Sequence, residues 1–109
     1  MDVTDKLNMT MLCDFYELTM GNGYFEAGLQ NRITYFDVFF REIPDHGGYA
    51  ICAGLDRIID YILDLHFSEE DIAYLRSKGL FSEAFLSYLR NFHFTGDIWA
   101  IPEGTPIFP

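Results

Sequence analysis

The residues with the clearest capacity for chemistry are Asp14, Tyr16 and Glu17, which begin an acidic and aromatic stretch. The two carboxylates could form a catalytic pair, but a spacing of three residues at a helix start is what a capping box alone produces. In that interpretation Asp14 accepts hydrogen bonds from the first free backbone N–H groups, and Glu17 reaches back. Tyr16 is placed either to pack in a core, which its helical spacing favours, or to contact a flat ligand or a partner surface.

Arg41 is the second candidate, because it ends the strongest predicted strand of an acidic chain. A guanidinium group in that position could bind a phosphate through two parallel hydrogen bonds. The alternative is an ion pair with Asp37, Glu42 or Asp45, and the sequence alone favours that simpler interpretation.

The cysteines and histidines do not suggest a metal site or a nucleophile. Cys13 and Cys52 are too few for a disulfide framework and have no neighbouring Cys or His at zinc-ligand spacing. We expect free, buried thiols in a reducing cytosol. His46, His66 and His93 fall in three different loops or helix ends without a partner at i+4, so no metal site is predicted.

The elements that position these residues indicate an α+β fold. Helical periodicity and capping residues predict helices over residues 14–27, 55–63, 69–77 and 82–91. β-Branched and aromatic runs predict extended segments over residues 32–41, 49–52, 97–101 and 105–109. The sequence thus predicts a small sheet of about four strands with about four helices, in one domain spanning residues 1–109.

Three finer expectations follow from the pattern. The first helix should pack through a stripe formed by Phe15, Tyr16, Thr19, Met20 and Tyr24, widened by Leu18 and Phe25. The strand over residues 32–41 is apolar on both faces, so it should be covered on both sides, and residues 49–52 should pair back on it. In the intervening turn, Gly47 and Gly48 are free to adopt positive φ.

Composition excludes several classes of function. The 109 residues are half apolar, enough for one core, and carry a formal charge of −10 without a Lys/Arg-rich run, so nucleic acid is not an expected partner. The first residues lack a signal-peptide pattern, and no apolar run approaches about 18 residues. We expect no membrane contact and a cytoplasmic location. An extended apolar segment begins at residue 105, which suggests the front of a longer protein.

Four runs of this sequence, in order, closely resemble the amino-terminal region of the nicotinate phosphoribosyltransferase family. They are Cys13–Met20 (CDFYELTM), Phe36–Arg41 (FDVFFR), Gly47–Leu55 (GGYAICAGL) and Ile101–Phe108 (IPEGTPIF). The resemblance extends from about Leu12 to the last residue. It implies the amino-terminal α+β domain of a type II phosphoribosyltransferase-like enzyme, whose barrel domain is absent from this chain.

The resemblance also implies a reaction. Enzymes of this family join nicotinate to the ribosyl carbon of phosphoribosyl pyrophosphate, release pyrophosphate and form nicotinate mononucleotide, the entry step of NAD salvage from nicotinate. ATP hydrolysis drives the reaction through a phosphohistidine, with Mg²⁺. The phosphorylated histidine, the ribose-phosphate loop and the carboxylate-binding arginine are expected beyond residue 109, so this chain alone should be inactive.

The resemblance implies roles for three residues. In the family, two subunits pack head to tail, and the amino-terminal domain of one covers the barrel active site of the other. Tyr16 matches the tyrosine that crosses the dimer and stacks on the pyridine ring, and Asp14 matches the acid beside it. Arg41 matches a basic position that, in the related nicotinamide enzymes, approaches the phosphates from the neighbouring subunit.

Two alternatives remain open from sequence. The chain could be a stand-alone binding or interaction module that derives from such an enzyme, keeps the Tyr16 surface and performs no reaction. It could also be a generic aromatic-rich α+β domain, which would be favoured if residues 36–41 and 98–101 did not share a sheet.

Overall fold

A computed structural model describes residues 7–109. The polar residues 1–9 are expected from sequence to form a lead-in to the first helix, and the first six of them lie outside the described part of the chain. The prediction of about four helices is confirmed. The helices are α1 (Phe15–Glu26), α2 (Leu55–Leu63), α3 (Glu69–Ser77) and α4 (Glu83–Arg90), with a short 3-10 turn at Pro44–His46.

Serine caps begin α3 and α4 as predicted. The Ser68 hydroxyl accepts a hydrogen bond from the Asp71 N–H at 3.1 Å, and the Asp71 carboxylate accepts one from the Ser68 N–H at 2.9 Å, which completes a capping box. The Ser82 hydroxyl accepts the Phe85 N–H at 3.1 Å. Each cap satisfies backbone donors that have no partner inside the helix.

The capping box predicted for α1 is absent. Asp14 does occupy the N-cap position, but its side chain makes no capping hydrogen bond. In a capping box the Asp14 carboxylate would accept a hydrogen bond from the Glu17 N–H. That N–H instead donates to the Asp14 backbone carbonyl at 3.1 Å. The carboxylate of Asp14 therefore stays available to other groups.

Gly28 follows the C-cap of α1 and ends the helix. Its φ of +75° lies in the left-handed region, where a Cβ is unfavourable. The Gly28 N–H donates to the Phe25 carbonyl and the Leu29 N–H to the Tyr24 carbonyl, both at 2.9 Å. This pair of hydrogen bonds is the Schellman motif. In the later turn the expectation for glycine was wrong, because Asp45 and His46 adopt positive φ.

The core lies where α4 packs against α3 and α1. Its fully enclosed members are Ile72 and Leu75 of α3 with Phe85, Leu86 and Leu89 of α4. α1 contributes Leu18 and Phe25 to this core from its inner face, and the Phe25 ring lies 5.0 Å from that of Tyr88. A Cβ added at Gly21 would lie 3.4 Å from the Phe85 ring, an ordinary van der Waals distance, so α1 and α4 approach each other at this glycine.

The stripe predicted to pack α1 lies on the wrong side of the helix. Most of its members are exposed, and no residue of α1 is fully buried. Apolar residues surround the helix on both sides, so periodicity alone did not identify the packed side. The inner face is that of Leu18 and Phe25, and the stripe containing Tyr16 faces outward.

The described residues form a sheet of two strands, so the predicted count of about four is not confirmed. β1 (Ala50–Ile51) pairs antiparallel with β2 (Pro106–Ile107), Ala50 opposite Ile107. The ladder continues where the Cys52 N–H donates to the Thr105 carbonyl at 2.9 Å. Residues 49–52 therefore do not pair with residues 32–41.

The segments over residues 32–41 and 97–101 are not strands in the described chain. Their side chains are largely exposed, in contrast to the predicted cover on both faces of residues 32–41. A strand forms only where a second strand pairs with it through backbone hydrogen bonds. Among the described residues, no strand pairs in this way with residues 32–41 or with residues 97–101.

We expect Leu86→Ala to lower the free energy of unfolding by about 2–5 kcal/mol, because Leu86 is 0% exposed and its loss leaves a cavity between α3 and α4. Urea denaturation followed by circular dichroism measures the change. Leu80→Ala is the matched control, because Leu80 is exposed in the loop between the same helices. Equal destabilisation by both substitutions would contradict this location of the core.

Candidate functional site

Tyr16 projects from the first turn of α1, on the side opposite the core. Its side chain is 59% exposed, and its hydroxyl has no hydrogen-bond partner among residues 7–109. The contact that fixes its backbone is local, since the Thr19 hydroxyl donates to the Tyr16 carbonyl at 3.0 Å. The ring thus offers an aromatic face and a free hydroxyl to whatever approaches the helix.

Carboxylates border that ring. Asp14 and Glu17 are exposed and, with Leu12 and Cys13, line an open hollow of about 420 Å³ at the start of α1. Neither carboxylate makes an ion pair with a described residue. A flat ring with an uncompensated acid beside it suits an aromatic group that carries hydrogen-bond donors or a basic partner surface.

Cys13 is exposed, in contrast to the buried thiol that we expected. Its thiol is nevertheless a poor nucleophile. Partial burial of its sulfur raises the pKa of the thiol, and the carboxylates of Glu17 and then Asp14 raise it further. A raised pKa leaves little thiolate at neutral pH, and the thiolate is the reactive form.

Tyr61 of α2 is a member of this cluster that sequence reasoning missed. Burial raises the pKa of its phenol, and Cys13 and then Glu17 raise it further, so the cluster at the start of α1 acts electrostatically on this phenol. The spacing of three residues from Ile58 was the available signal, because it places Tyr61 beside the apolar stripe of α2.

A larger groove of about 630 Å³ adjoins the cluster. It runs between α2 and the segment over residues 7–12, and its lining includes Leu12, Arg57, Asp60 and Tyr61. The segment is held in place because the Thr10 hydroxyl accepts the His66 N–H at 3.2 Å. Both apolar and charged side chains line this groove.

Glu103 is a second residue that the sequence analysis missed. Its carboxylate accepts the Gly54 N–H at 3.1 Å, at the start of α2. Gly54 has no side chain with which to cap the helix itself, and this was the signal. The contact ties the turn after residue 101 to α2.

The structure does not bring Arg41 to Tyr16. Arg41 is exposed at the end of the extended segment and makes no ion pair with Asp37, Glu42, Asp45 or any other described residue. The ion pair that the sequence favoured is therefore absent, and the guanidinium is free for another partner.

The three histidines are exposed, as expected for surface or helix-end positions. Within residues 7–109, no group of three or more His, Cys, Asp or Glu side chains is arranged to hold a metal ion. Over the same residues, no helix combines the length and apolarity that crossing a bilayer requires.

Four helices around a small core, with an exposed aromatic ring at the start of α1, describe a module that presents a surface rather than one that encloses a site. The family model of the nicotinate phosphoribosyltransferase (NAPRTase) N-terminal domain matches residues 11–109. The chain therefore belongs to the nicotinate phosphoribosyltransferase family, as its N-terminal domain.

Relatives in distant organisms agree with this assignment. A nicotinate phosphoribosyltransferase of Mycobacterium tuberculosis is 41% identical over 91% of the chain, which covers 21% of that protein. One from Arabidopsis thaliana is 35% identical over 97% of the chain, covering 19% of that protein. One from Caenorhabditis elegans is 35% identical over 100% of the chain, which covers 20% of that protein. The chain thus spans about a fifth of the length of these relatives.

The match decides between the interpretations left open by sequence. Residues 36–41 and 98–101 share no sheet within the described part of the chain, which is the outcome that would have favoured a generic domain. The family match outweighs it, because it covers residues 11–109, which include both segments. The names of the relatives give no support to a stand-alone module.

We expect the alkylation rate of Cys13 by iodoacetamide to rise with a midpoint above the ordinary thiol value of about 8.5, because burial and the two carboxylates disfavour the thiolate. The measurement uses Cys52→Ser protein, so that one thiol reacts. Glu17→Gln should lower the midpoint part of the way, because burial, the larger cause, remains.

The same thiol in urea-denatured protein is the control for the Cys13 measurement. It should titrate near the ordinary value, since unfolding removes both causes. A native midpoint at or below the denatured one would show that the cluster does not disfavour the thiolate.

Proposed function

We propose that this chain is the N-terminal part of a nicotinate phosphoribosyltransferase that forms nicotinate mononucleotide from nicotinate and phosphoribosyl pyrophosphate, in NAD salvage. The pyridine nitrogen bonds to the ribosyl carbon as the bond from that carbon to pyrophosphate breaks. ATP hydrolysis drives the reaction, and the location is the reducing cytosol in which Cys13 and Cys52 remain free thiols. Family membership and the names of the relatives support the proposal.

The exposed ring of Tyr16 is the observation that carries the proposal. A tyrosine enclosed by its own domain could not contact a substrate, and this ring is 59% exposed with an unpaired hydroxyl among the described residues. In the proposed enzyme it stacks on the pyridine ring of nicotinate in the active site of a neighbouring subunit. Stacking contributes about 1 kcal/mol beyond the burial of area.

Asp14 and Arg41 have supporting roles in the proposal. The Asp14 carboxylate, free of capping, lies next to Tyr16 in the chain and helps to position the substrate. The unpaired Arg41 guanidinium binds phosphate oxygens of phosphoribosyl pyrophosphate through two parallel hydrogen bonds. Positioning of this kind lowers the barrier because the reacting atoms meet already oriented.

The remaining machinery is assigned to other parts of the enzyme. Among residues 7–109 no group of three or more His, Cys, Asp or Glu side chains is arranged to hold a metal ion, so we assign the Mg²⁺ site to other parts of the enzyme. We likewise assign the phosphorylated histidine to the part of the enzyme beyond residue 109 rather than to His46, His66 or His93. We therefore propose that the reaction needs the remaining four-fifths of the polypeptide, judged by the relatives, and that the 109-residue chain alone is inactive.

A head-to-tail homodimer completes the proposal. Tyr16 lies on the outer side of α1, facing away from the core of its own domain. A ring that faces outward can contact a substrate bound to a second subunit. A substrate on the inner side of α1 would be separated from the ring by the core of the same domain.

We expect Tyr16→Ala in the full-length protein to raise the KM for nicotinate at least about fivefold, since about 1 kcal/mol of stacking corresponds to that factor. Tyr16→Phe should retain most of the affinity because it keeps the ring. Steady-state assays of nicotinate mononucleotide formation measure both, and absence of the product with the unsubstituted protein would contradict the proposed reaction.

Tyr24→Ala is the matched control for Tyr16. Tyr24 is 51% exposed and lies two turns further along the same helix. It should leave the KM for nicotinate within about twofold, because the substrate is placed at the start of the helix. If Tyr24→Ala weakens nicotinate binding as much as Tyr16→Ala does, the effect belongs to the helix surface in general.

We expect Arg41→Ala to raise the KM for phosphoribosyl pyrophosphate by about 10-fold or more, the loss of a charge-assisted hydrogen bond being worth about 1.5–3 kcal/mol. Arg41→Lys should recover only part of this, because an ammonium group lacks the two-pronged geometry. The KM for nicotinate should stay unchanged in both variants.

Arg32→Ala provides the control for Arg41, since Arg32 is an exposed arginine at the other end of the same segment. It should leave the KM for phosphoribosyl pyrophosphate unchanged. Equal losses in the two alanine variants would indicate a general charge effect and contradict a specific contact by Arg41.

A further inference from the structure

Residues 33–40, which we call the aromatic segment, have the least support from the rest of the described chain. Their backbone is extended, and large apolar side chains alternate along both faces. Ile33, Tyr35 and Phe39 lie on one face, and Phe36 and Val38 on the other. The most exposed of the five is Val38 at 98%, and the least exposed is Phe39 at 70%.

The edges of the aromatic segment are as open as its faces. No backbone N–H or C=O group of residues 33–42 forms a hydrogen bond with another residue that the structure describes. An extended segment with two open edges and two open apolar faces is a template for association rather than a stable surface. Apolar residues on both faces are typical of a strand in the interior of a sheet that is covered on both sides.

We propose that the aromatic segment is an interior strand of the complete polypeptide, paired along its edges and covered on both faces by the part of the same polypeptide that lies outside the matched region. The relatives are about five times as long as the chain, so material for this cover exists in the family. The proposal rests on family membership and is independent of the reaction.

The radius of gyration of the chain agrees with a fold whose apolar surface is only partly covered. The Cα radius of gyration is 16.9 Å, whereas a compact domain of about 100 residues has a radius near 13 Å. α2 likewise has no fully buried residue, and the Trp99 side chain in the second unpaired segment is 96% exposed. The uncovered surface is therefore spread over several segments, of which the aromatic segment is one.

A second copy of the chain does not meet the same need. A two-fold contact brings the same patch from each subunit, so pairing the aromatic segment with its copy satisfies one edge. The other edge and both faces would stay open, because the copy has no surplus of strands to donate. Each chain also carries a formal charge of −10, which opposes close pairing of two copies.

The cover has a consequence for Arg41, which directly follows the aromatic segment. A free extended segment cannot hold a guanidinium in one place, whereas a strand fixed on both edges can. The remainder of the polypeptide thus sets the position of Arg41, while the core of α1, α3 and α4 sets that of Tyr16.

Hydrogen–deuterium exchange of the full-length protein tests the proposal without requiring activity. The amides of residues 34–40 should exchange at least about 100-fold more slowly than their unstructured rates, as do those of buried strands. The loop over residues 44–49, which is exposed, provides an internal reference that should exchange fast. Fast exchange in both regions would overturn the proposal.

The same experiment on diluted protein separates the two sources of cover. Protection supplied by the same polypeptide should persist in the monomer fraction, as measured by sedimentation at each concentration. Protection that disappears as a dimer dissociates would assign the cover to a second copy and overturn the proposal.

A matched pair of substitutions supplies a second readout. Val38→Asp in the full-length protein should reduce the soluble, folded fraction severalfold, because it places a charge inside a covered sheet. Asn31→Asp adds the same charge in the exposed turn just before the segment and should leave that fraction unchanged. Equal recovery of both variants would contradict an interior strand.

Discussion

The packing of α4 against α1 and α3 is the interaction on which the rest of the described structure depends. Phe85 and Leu86 of α4 fill the space between the three helices, and α1 approaches the Phe85 ring at Gly21. Because α1 uses its inner face for this contact, its outer face is left to the solvent. Nine residues separate Tyr16 from Phe25, which places their side chains about 180° apart around a helix of 3.6 residues per turn. The ring of Tyr16 is exposed because Phe25 is packed.

Local chemistry allowed the helices to be predicted from sequence. Ser68 with Asp71 and Ser82 with Phe85 form caps that depend on residues three positions apart, and Gly28 closes α1 through its own backbone freedom. Such signals require no knowledge of distant residues, so they survive in any tertiary context. The orientation of α1 was not predictable in the same way, since apolar residues lie on both of its sides and only the partner helix decides which is packed.

The sheet was predicted poorly because a strand is defined by another strand. The run over residues 32–41 has the composition of a strand, yet in the described chain it has nothing to pair with. The two strands that do form, β1 and β2, are two residues each and lie more than fifty positions apart in the chain. Their pairing depends on the turn that brings Glu103 to the start of α2, a contact between distant residues that no periodicity indicates.

The candidate site reflects the same division between local and distant constraints. Tyr16 and Asp14 share one helical turn, so their neighbourhood was evident from sequence, whereas Tyr61 joined them only through the fold. Arg41 differs again, because its segment has neither a core nor a ladder within residues 7–109. A side chain on a packed helix is oriented before any partner arrives, and one on an uncovered strand is not. The packed core therefore fixes the orientation of Tyr16, whereas no contact among residues 7–109 fixes that of Arg41.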